Sequence, residues 1–315
     1  RKLLQPSFTG RTMDALRGSI QETLDRLLDE AERAAADRGE TPGNRTMELI
    51  SAVAYPFPVA VISDLLGIPK EDRARIKGWT ANLLRVDAGR DKAMEEGIQE
   101  GLREFTAYLD DLFDRKRREP ADDMISRMVL AEEDGEVLTR DETLATVFLM
   151  YLAGHITTVN LVGSGIVALL TNPGELAEIT ADPSLAKNVV EETLRYWGPV
   201  DFIGRRKASE DLTLGGERIA VGEDVTVGLA SANRDSKKFA NPDVYDISRP
   251  DANRHIAFGK GIHVCLGAPL ARVEGQVAFE TLIRRYPELR LAVPADEIQW
   301  SQNFLRGFRE IPLLF

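Results

Sequence analysis

The segment 139–172 constrains the fold more than any other part of this 315-residue sequence. It opens on Thr139 with Glu142 three residues later, the pairing by which a helix caps its own first turn. It closes on Asn172-Pro173-Gly174, where proline and glycine stop a helix. Between these ends apolar residues fall on most faces. A helix of some thirty residues rises roughly 45 Å, about the width of a domain. A rod so long and so apolar has to run through a core, and the rest of the chain is expected to pack around it.

Helical periodicity predicts further helices at 12–38, 70–84, 92–118 and 122–132, and after the central segment at 175–180, 185–197 and 269–286. The stretch 47–66 is apolar but interrupted by Pro56 and Pro58, which predicts two short helices. Beyond Pro199 the texture changes. Short strands are expected at 212–214, 217–219 and 224–229, with Gly215-Gly216 turning a hairpin. A loop rich in Asn, Asp, Pro and Arg fills 231–260, and 289–315 is irregular with strand pieces. No repeat or low-complexity linker interrupts the pattern. The expected class is mainly α with a small β component, one domain over 1–315. Because the chain opens at Arg1 in mid-pattern and without Met, an N-terminal segment is expected to precede it.

Acidic residues outnumber basic ones by 51 to 40, and a net charge of −11 sets the chain against a nucleic-acid partner. The apolar runs 145–152 and 161–170 fall short of the roughly 20 residues of a membrane span, so no membrane anchor is expected. No leader peptide is visible. A single cysteine, Cys265, excludes an internal disulfide framework or a multi-cysteine zinc site and fits a reducing compartment, with a cytoplasmic location as the expectation.

That cysteine ends a glycine-rich loop, Phe258-Gly259-Lys260-Gly261-Ile262-His263-Val264-Cys265-Leu266-Gly267, just ahead of a predicted helix. Glycines allow the backbone to turn its N–H groups toward the sulfur, and the helix N-terminus adds positive potential. Both favour a thiolate, which is a strong metal ligand. Two other fates suit the same residues: an inert buried cysteine, or a nucleophile paired with His155, His255 or His263. On composition alone the three stand level.

The loop resembles the heme-binding signature of the cytochrome P450 superfamily, Phe-x-x-Gly-x-x-x-Cys-x-Gly. Phe258, Gly261, Cys265 and Gly267 fill it, and Ala268-Pro269-Leu270-Ala271-Arg272 follows as in bacterial members. The resemblance implies the P450 fold, with the long central helix lying across heme b. It makes Cys265 the iron ligand and places Phe258, Gly259 and Gly267 around it. Glu192 and Arg195 share a helix face, which alone describes an ordinary surface ion pair. They also resemble the family's Glu-x-x-Arg motif, whose third partner would be Arg249, and this implies a structural network. Arg206, His263 and Arg1 stand where the family places cations for the heme carboxylates, which need charge-assisted donors. His255 also fits the bacterial pattern, as a structural hydrogen-bonding residue.

On the central helix, Ala153-Gly154-His155-Ile156-Thr157-Thr158 resembles the oxygen-activating motif Ala/Gly-Gly-x-Asp/Glu-Thr-Thr. By its residues alone it is equally an ordinary core helix. The resemblance implies that Ala153 and Gly154 leave room for dioxygen and substrate, and that Thr157 holds water nearby. Ile156 occupies the acid position, so the usual acid–alcohol pair is incomplete. His155 is no simple replacement, since one residue along a helix turns about 100° away. Water with Thr157, a substrate group, or a different reaction would each answer the gap.

The activity implied is insertion of an oxygen atom from O2 into a lipophilic small molecule of bacterial secondary metabolism. Electrons would come from a ferredoxin or flavodoxin, steered by Lys260, Arg254 and Arg272. Substrate contacts are expected from Phe148, Leu149 and Leu152 on the central helix, Val200 and Phe202 after the Glu–Arg helix, and Phe304 near the end. The competing expectation is a heme-binding scaffold or sensor without oxygenase turnover.

Overall fold

The central segment forms one unbroken helix, Arg140–Thr171, and Thr139 and Glu142 make the reciprocal cap that the sequence predicts. The computed structural model describes residues 1, 4–80, 92–133, 138–301 and 305–315. In chain order the helices are α1 Gly10–Asp14, α2 Arg17–Asp37, α3 Pro56–Leu66, α4 Arg73–Thr80, α5 Lys92–Arg118, α6 Met124–Glu133 and the central α7. Then follow α8 Pro173–Ala181, α9 Ala186–Trp197, the short α10 Leu229–Ala232 and α11 Ala268–Arg285. The strands are β1 Thr46–Glu48, β2 Phe202–Lys207, β3 Leu212–Leu214, β4 Glu217–Ile219, β5 Asp224–Gly228, β6 Arg290–Leu291 and β7 Pro312–Leu314. They pair antiparallel in three small sheets, ordered β1-β7-β6, β2-β5 and β3-β4. The fold is mainly α with a small β component, as the sequence implies.

From Thr158 to Leu169 every residue of α7 is buried. Helices α3, α9 and α11 pack around it. Gly165 makes one of these contacts possible, because a methyl group there would overlap the ring of Phe279 on α11. At Gly163 a Cβ would come 3.0 Å from the Ile311 side chain. Helix α7 is also the one described helix long and apolar enough to cross a membrane, but 67% of its most apolar stretch is buried inside the protein. The sequence reading had split that stretch into two short runs. Helical continuity joins them into a core rod.

Four local expectations change. The predicted helix 12–38 breaks at Ala15-Leu16 into α1 and α2. The first half of 47–66 is β1 and a π turn, Ile50–Ala54, because β1 pairs with β7 across the chain. Strand β2 went unpredicted, and its pairing with β5 is irregular between Ile203 and Arg206. The predicted helix 70–84 begins as a 3-10 turn, Lys70–Asp72, and continues as α4 to Thr80; its last positions lie outside the described residues.

Candidate active site

The cysteine loop folds back on itself. Gly259 and Gly261 adopt φ of 71° and 82°, a region that side chains rarely enter. This lets the Cys265 N–H donate to the Phe258 carbonyl at 2.9 Å and the Val264 N–H to Gly261 at 3.0 Å. Helix α11 starts immediately afterwards with Gly267 at its N-cap and Pro269 in its first turn. The Gly267 and Ala268 N–H groups are directed at the sulfur. Strand β2 lies against the loop, since a Cβ at Gly259 would be 3.7 Å from Ile203. Arg1 reaches it from the far end of the sequence, its Nη2 donating to the Val264 carbonyl at 2.7 Å.

Cys265 is exposed as a residue. Enough protein surrounds the sulfur, however, that burial pushes its pKa up, against the pull of the Gly267 and Ala268 N–H groups and of Arg1 and Arg272. The sequence reading expected these groups to favour the thiolate. Desolvation outweighs them, and the protein alone favours the thiol. Ionisation then has to accompany metal binding, because iron takes the anion.

Two networks, one buried and one half-buried, hold the loop. In the first, Arg195 grips Glu192 with Nε and Nη2, both at 2.7 Å. Its remaining donors go to the carbonyls of Asn233, Pro242 and Val244 at 3.1, 2.7 and 3.0 Å. Arg249 approaches Glu192 at 3.3 Å and bonds the carbonyls of Ala240, Asn241 and Val244. Glu192, Arg195 and Arg249 therefore tie α9 to the irregular segment before the loop. The second network escaped the sequence reading. Glu191 accepts from Arg272 at 2.6 Å and meets His255 at 3.2 Å, joining α9 to residues on both sides of Cys265. Burial raises the Glu191 pKa, but the bonds from His255 and Arg272 prevail and take it down to about 2. Arg272 also lies over the Phe258 ring, 4.7 Å from its centre. It is thus engaged inside the scaffold, whereas Arg254 and Lys260 are exposed. Asn233 completes the support by accepting the Ile256 N–H at 2.8 Å. The sequence gives no local sign of Glu191, because its partners Arg272 and His255 lie tens of residues away.

Helix α7 presents a different face to solvent. Leu149, Ala153 and Thr157, spaced by four, lie on one face, with Leu149 64% exposed and Ala153 exposed on a helix that is otherwise largely buried. Thr157 Oγ1 donates to the Ala153 carbonyl at 3.0 Å. Gly154 faces elsewhere: a Cβ there would be 3.2 Å from Ile62, so its missing side chain lets α3 approach rather than opening the same space as Ala153. His155 points into the core, its Nδ1 2.7 Å from the Tyr151 carbonyl, and burial pushes its pKa down. Its ring packs against Tyr55 and Tyr151.

Of the expected substrate residues, Phe148 packs on Phe105 with ring centres 5.5 Å apart and is a core contact. Leu152 and Val200 are half-buried, and Phe202 is 43% exposed at the start of β2. Phe304 lies outside the described residues. Arg306 donates its N–H to the Pro199 carbonyl at 2.9 Å and pairs with Asp201 at 2.8 Å, which brings Arg306 beside Val200. Arg206 and His263 are both exposed.

These residues fit an iron porphyrin. The loop supplies one soft sulfur ligand with N–H groups aimed at it. Arg1 lies beside the loop, while exposed Arg206 and His263 offer charge-assisted donors for carboxylates. The Leu149–Ala153–Thr157 stripe combines apolar surface with one hydroxyl. A family model described as Cytochrome P450 matches residues 84–304.

The chain belongs to the cytochrome P450 family.

As a member it is a heme-thiolate monooxygenase, and the family's cofactor is heme b. This P450 is 43% identical to the polyketide biosynthesis cytochrome P450 PksS of Bacillus subtilis, over 99% of the chain and 74% of that relative. It is 40% identical to the cytochrome P450 monooxygenase PikC of Streptomyces venezuelae, over 99% of the chain and 72% of that relative. Among solved structures it is similar to myxobacterial cytochrome P450 CYP267B1 in complex with myristic acid. That likeness has a TM-score of 0.89 and 44% identity, covering 100% of this chain and 75% of the other.

Proposed function

We propose that this P450 inserts one oxygen atom from O2 into a lipophilic small molecule of secondary metabolism, with electrons from a ferredoxin-type protein in a reducing cytoplasm. The observation that carries the reading is the Cys265 loop, closed by glycines and anchored on both sides to α9 by Glu191. Heme b, when bound through Cys265, would supply reductive activation of O2. Cys265 would hold the iron, with Phe258, Gly259 and Gly267 shaping the backbone around the sulfur. Arg1, Arg206 and His263 would hold the carboxylates. The exposed face of α7 would present Leu149 and Ala153 to substrate, and Thr157 would place a hydroxyl there. Leu152, Val200, Phe202 and the stretch around Phe304 would complete an apolar boundary. The names of the similar proteins support a polyketide or fatty-acyl class of substrate. Residues 1–315 would act as one catalytic domain.

Arg254 and Lys260, exposed beside the loop, would receive an acidic electron donor despite the overall negative charge. Reduction under carbon monoxide tests the ligation: the parent should show the red-shifted absorbance of thiolate-ligated iron, and Cys265→Ser should lose it. Retention of that band by the serine variant would end the assignment. A second reading, a heme-binding scaffold without turnover, draws on Ile156 at the acid position. Product formed per electron with a surrogate reductase separates the two, since a scaffold would consume electrons without product or not at all.

A further inference from the structure

We propose that His255 is a proton-sensitive latch on the cysteine loop, holding the Cys265 sulfur in place only while its ring is neutral. The tautomer follows from hydrogen bonds, and its consequence for iron rests on the monooxygenase reading. The ring is buried, with its side chain 1% exposed. Its Nδ1 accepts the backbone N–H of Ala257 at 3.1 Å. A ring nitrogen that accepts carries no proton, so the proton of the neutral ring sits on Nε2. Nε2 then donates to Glu191 Oε2 at 3.2 Å. One imidazole thus faces a donor and an acceptor at once, and only this neutral tautomer satisfies both.

The bond at Nδ1 belongs to the loop that carries the sulfur. Ala257 is buried and precedes Phe258, whose carbonyl accepts the Cys265 N–H at 2.9 Å. Ala257 also lies against Gly198, where an added Cβ would come within 3.3 Å of its methyl group. Its neighbours are fixed as well. The His255 N–H donates to the Ala252 carbonyl at 3.1 Å, the Ile256 N–H to Asn233 at 2.8 Å and the Gly259 N–H to the Ile256 carbonyl at 2.8 Å. A second proton on the ring would set two N–H groups against each other and leave the Ala257 N–H buried without an acceptor. Residue 257 then has to leave its place, and Phe258 and the Cys265 N–H move with it. Acid therefore favours the open loop, because the closed loop has no place for that proton. His255 is a positioning residue, acting on the sulfur through Ala257 and Phe258.

The charged groups beside the ring come from two helices. Glu191 of α9 draws a proton toward the imidazole, but Arg272 of α11 grips the same carboxylate and shares its Oε2 at 3.1 Å, which offsets that pull. Glu192, next on α9, is taken up by Arg195 and Arg249. On the ring's own segment Arg254 is exposed and Asp251 half-buried. The Phe258 ring, 5.8 Å from the imidazole centre, adds an apolar neighbour. Of the other histidines, His155 is turned to the Tyr151 carbonyl and His263 is exposed.

The test follows the ring and the iron ligand separately. With nitrogen-labelled histidines, the reduced, carbon-monoxide-bound protein at about pH 8 should show His255 protonated at Nε2 and bare at Nδ1, the signals being assigned by their loss from His255→Asn. Under carbon monoxide the parent should lose the red-shifted thiolate band in a one-proton step within about pH 5–8, the imidazole range. Asparagine does not titrate there, and its side-chain oxygen can still accept the N–H two residues on. His255→Asn should therefore keep the band through that range and lose it only below 4.5, as Glu191 takes up its proton. A ring protonated at Nδ1, or an acid loss that is the same in parent and His255→Asn, overturns the proposal. Should the asparagine variant fold poorly, the parent alone decides, since a band unchanged across the imidazole range also overturns it. A parent without the band at any pH would instead strike the monooxygenase reading, and the nitrogen signals need no heme.

Discussion

At the residue scale, Cys265 is a thiol that must lose its proton when it binds iron. Burial raises its pKa against four groups that lower it. Uptake of hemin by the apoprotein near neutral pH should therefore release about one proton per site, read with an indicator in weak buffer. No release would mean that the sulfur was already ionised, or that it is not the ligand. Gly165 carries a packing prediction. Gly165→Ala places a methyl group in the Phe279 ring and should cost about 1–3 kcal/mol, seen as a lower urea midpoint. Combining it with Phe279→Leu should recover part of the loss, since contacting sites couple. Simple additivity in the double variant would refute direct overlap.

At the scale of elements, α9 positions the site by presenting two adjacent carboxylates to different partners. Glu192 holds the segment ahead of the loop, and Glu191 clamps both flanks of Cys265. The Glu191 pKa falls from 4.5 to about 2 on folding, so its stabilisation is present above pH 4.5 and lost as pH drops toward 2. Glu191→Gln should flatten this acid dependence, reducing the difference in unfolding free energy between pH 7 and pH 3 by roughly 1–3 kcal/mol. An unchanged acid dependence would show that the clamp forms no net bond. The contrast between the two glutamates also shows what a sequence can reveal. The cysteine loop was legible because its glycines, thiol and following helix are contiguous. Helix α7 was legible because its cap and its terminator are local. Glu191 was not, for its partners Arg272 and His255 lie 81 and 64 positions away. Strand β2 was hidden for a similar reason, because its ladder partner β5 lies some twenty positions further on. For Phe148 and Gly154 the sequence shows the helix but not the neighbours, Phe105 and Ile62, that lie against them.

For the whole molecule, Arg195 concentrates the long-range order. Its five donors hold Glu192 on the same helix and tie α9 to three carbonyls of the irregular segment. Arg195→Ala leaves Glu192 in the core with much of its countercharge gone and should cost about 3–5 kcal/mol. Heme retention during gel filtration should fall with it. A variant that keeps both stability and heme would show that Arg249 suffices. The order of synthesis adds a demand of another kind. Among the described residues strand β1 has only β7 as its ladder partner, and Thr46 meets Leu314 across 268 positions. At about 5–20 residues per second, a ribosome needs roughly 13–54 s to make the intervening chain. Throughout that interval the nascent β1 carries an unmatched edge, a natural target for a chaperone and for mistaken pairing with neighbouring nascent chains.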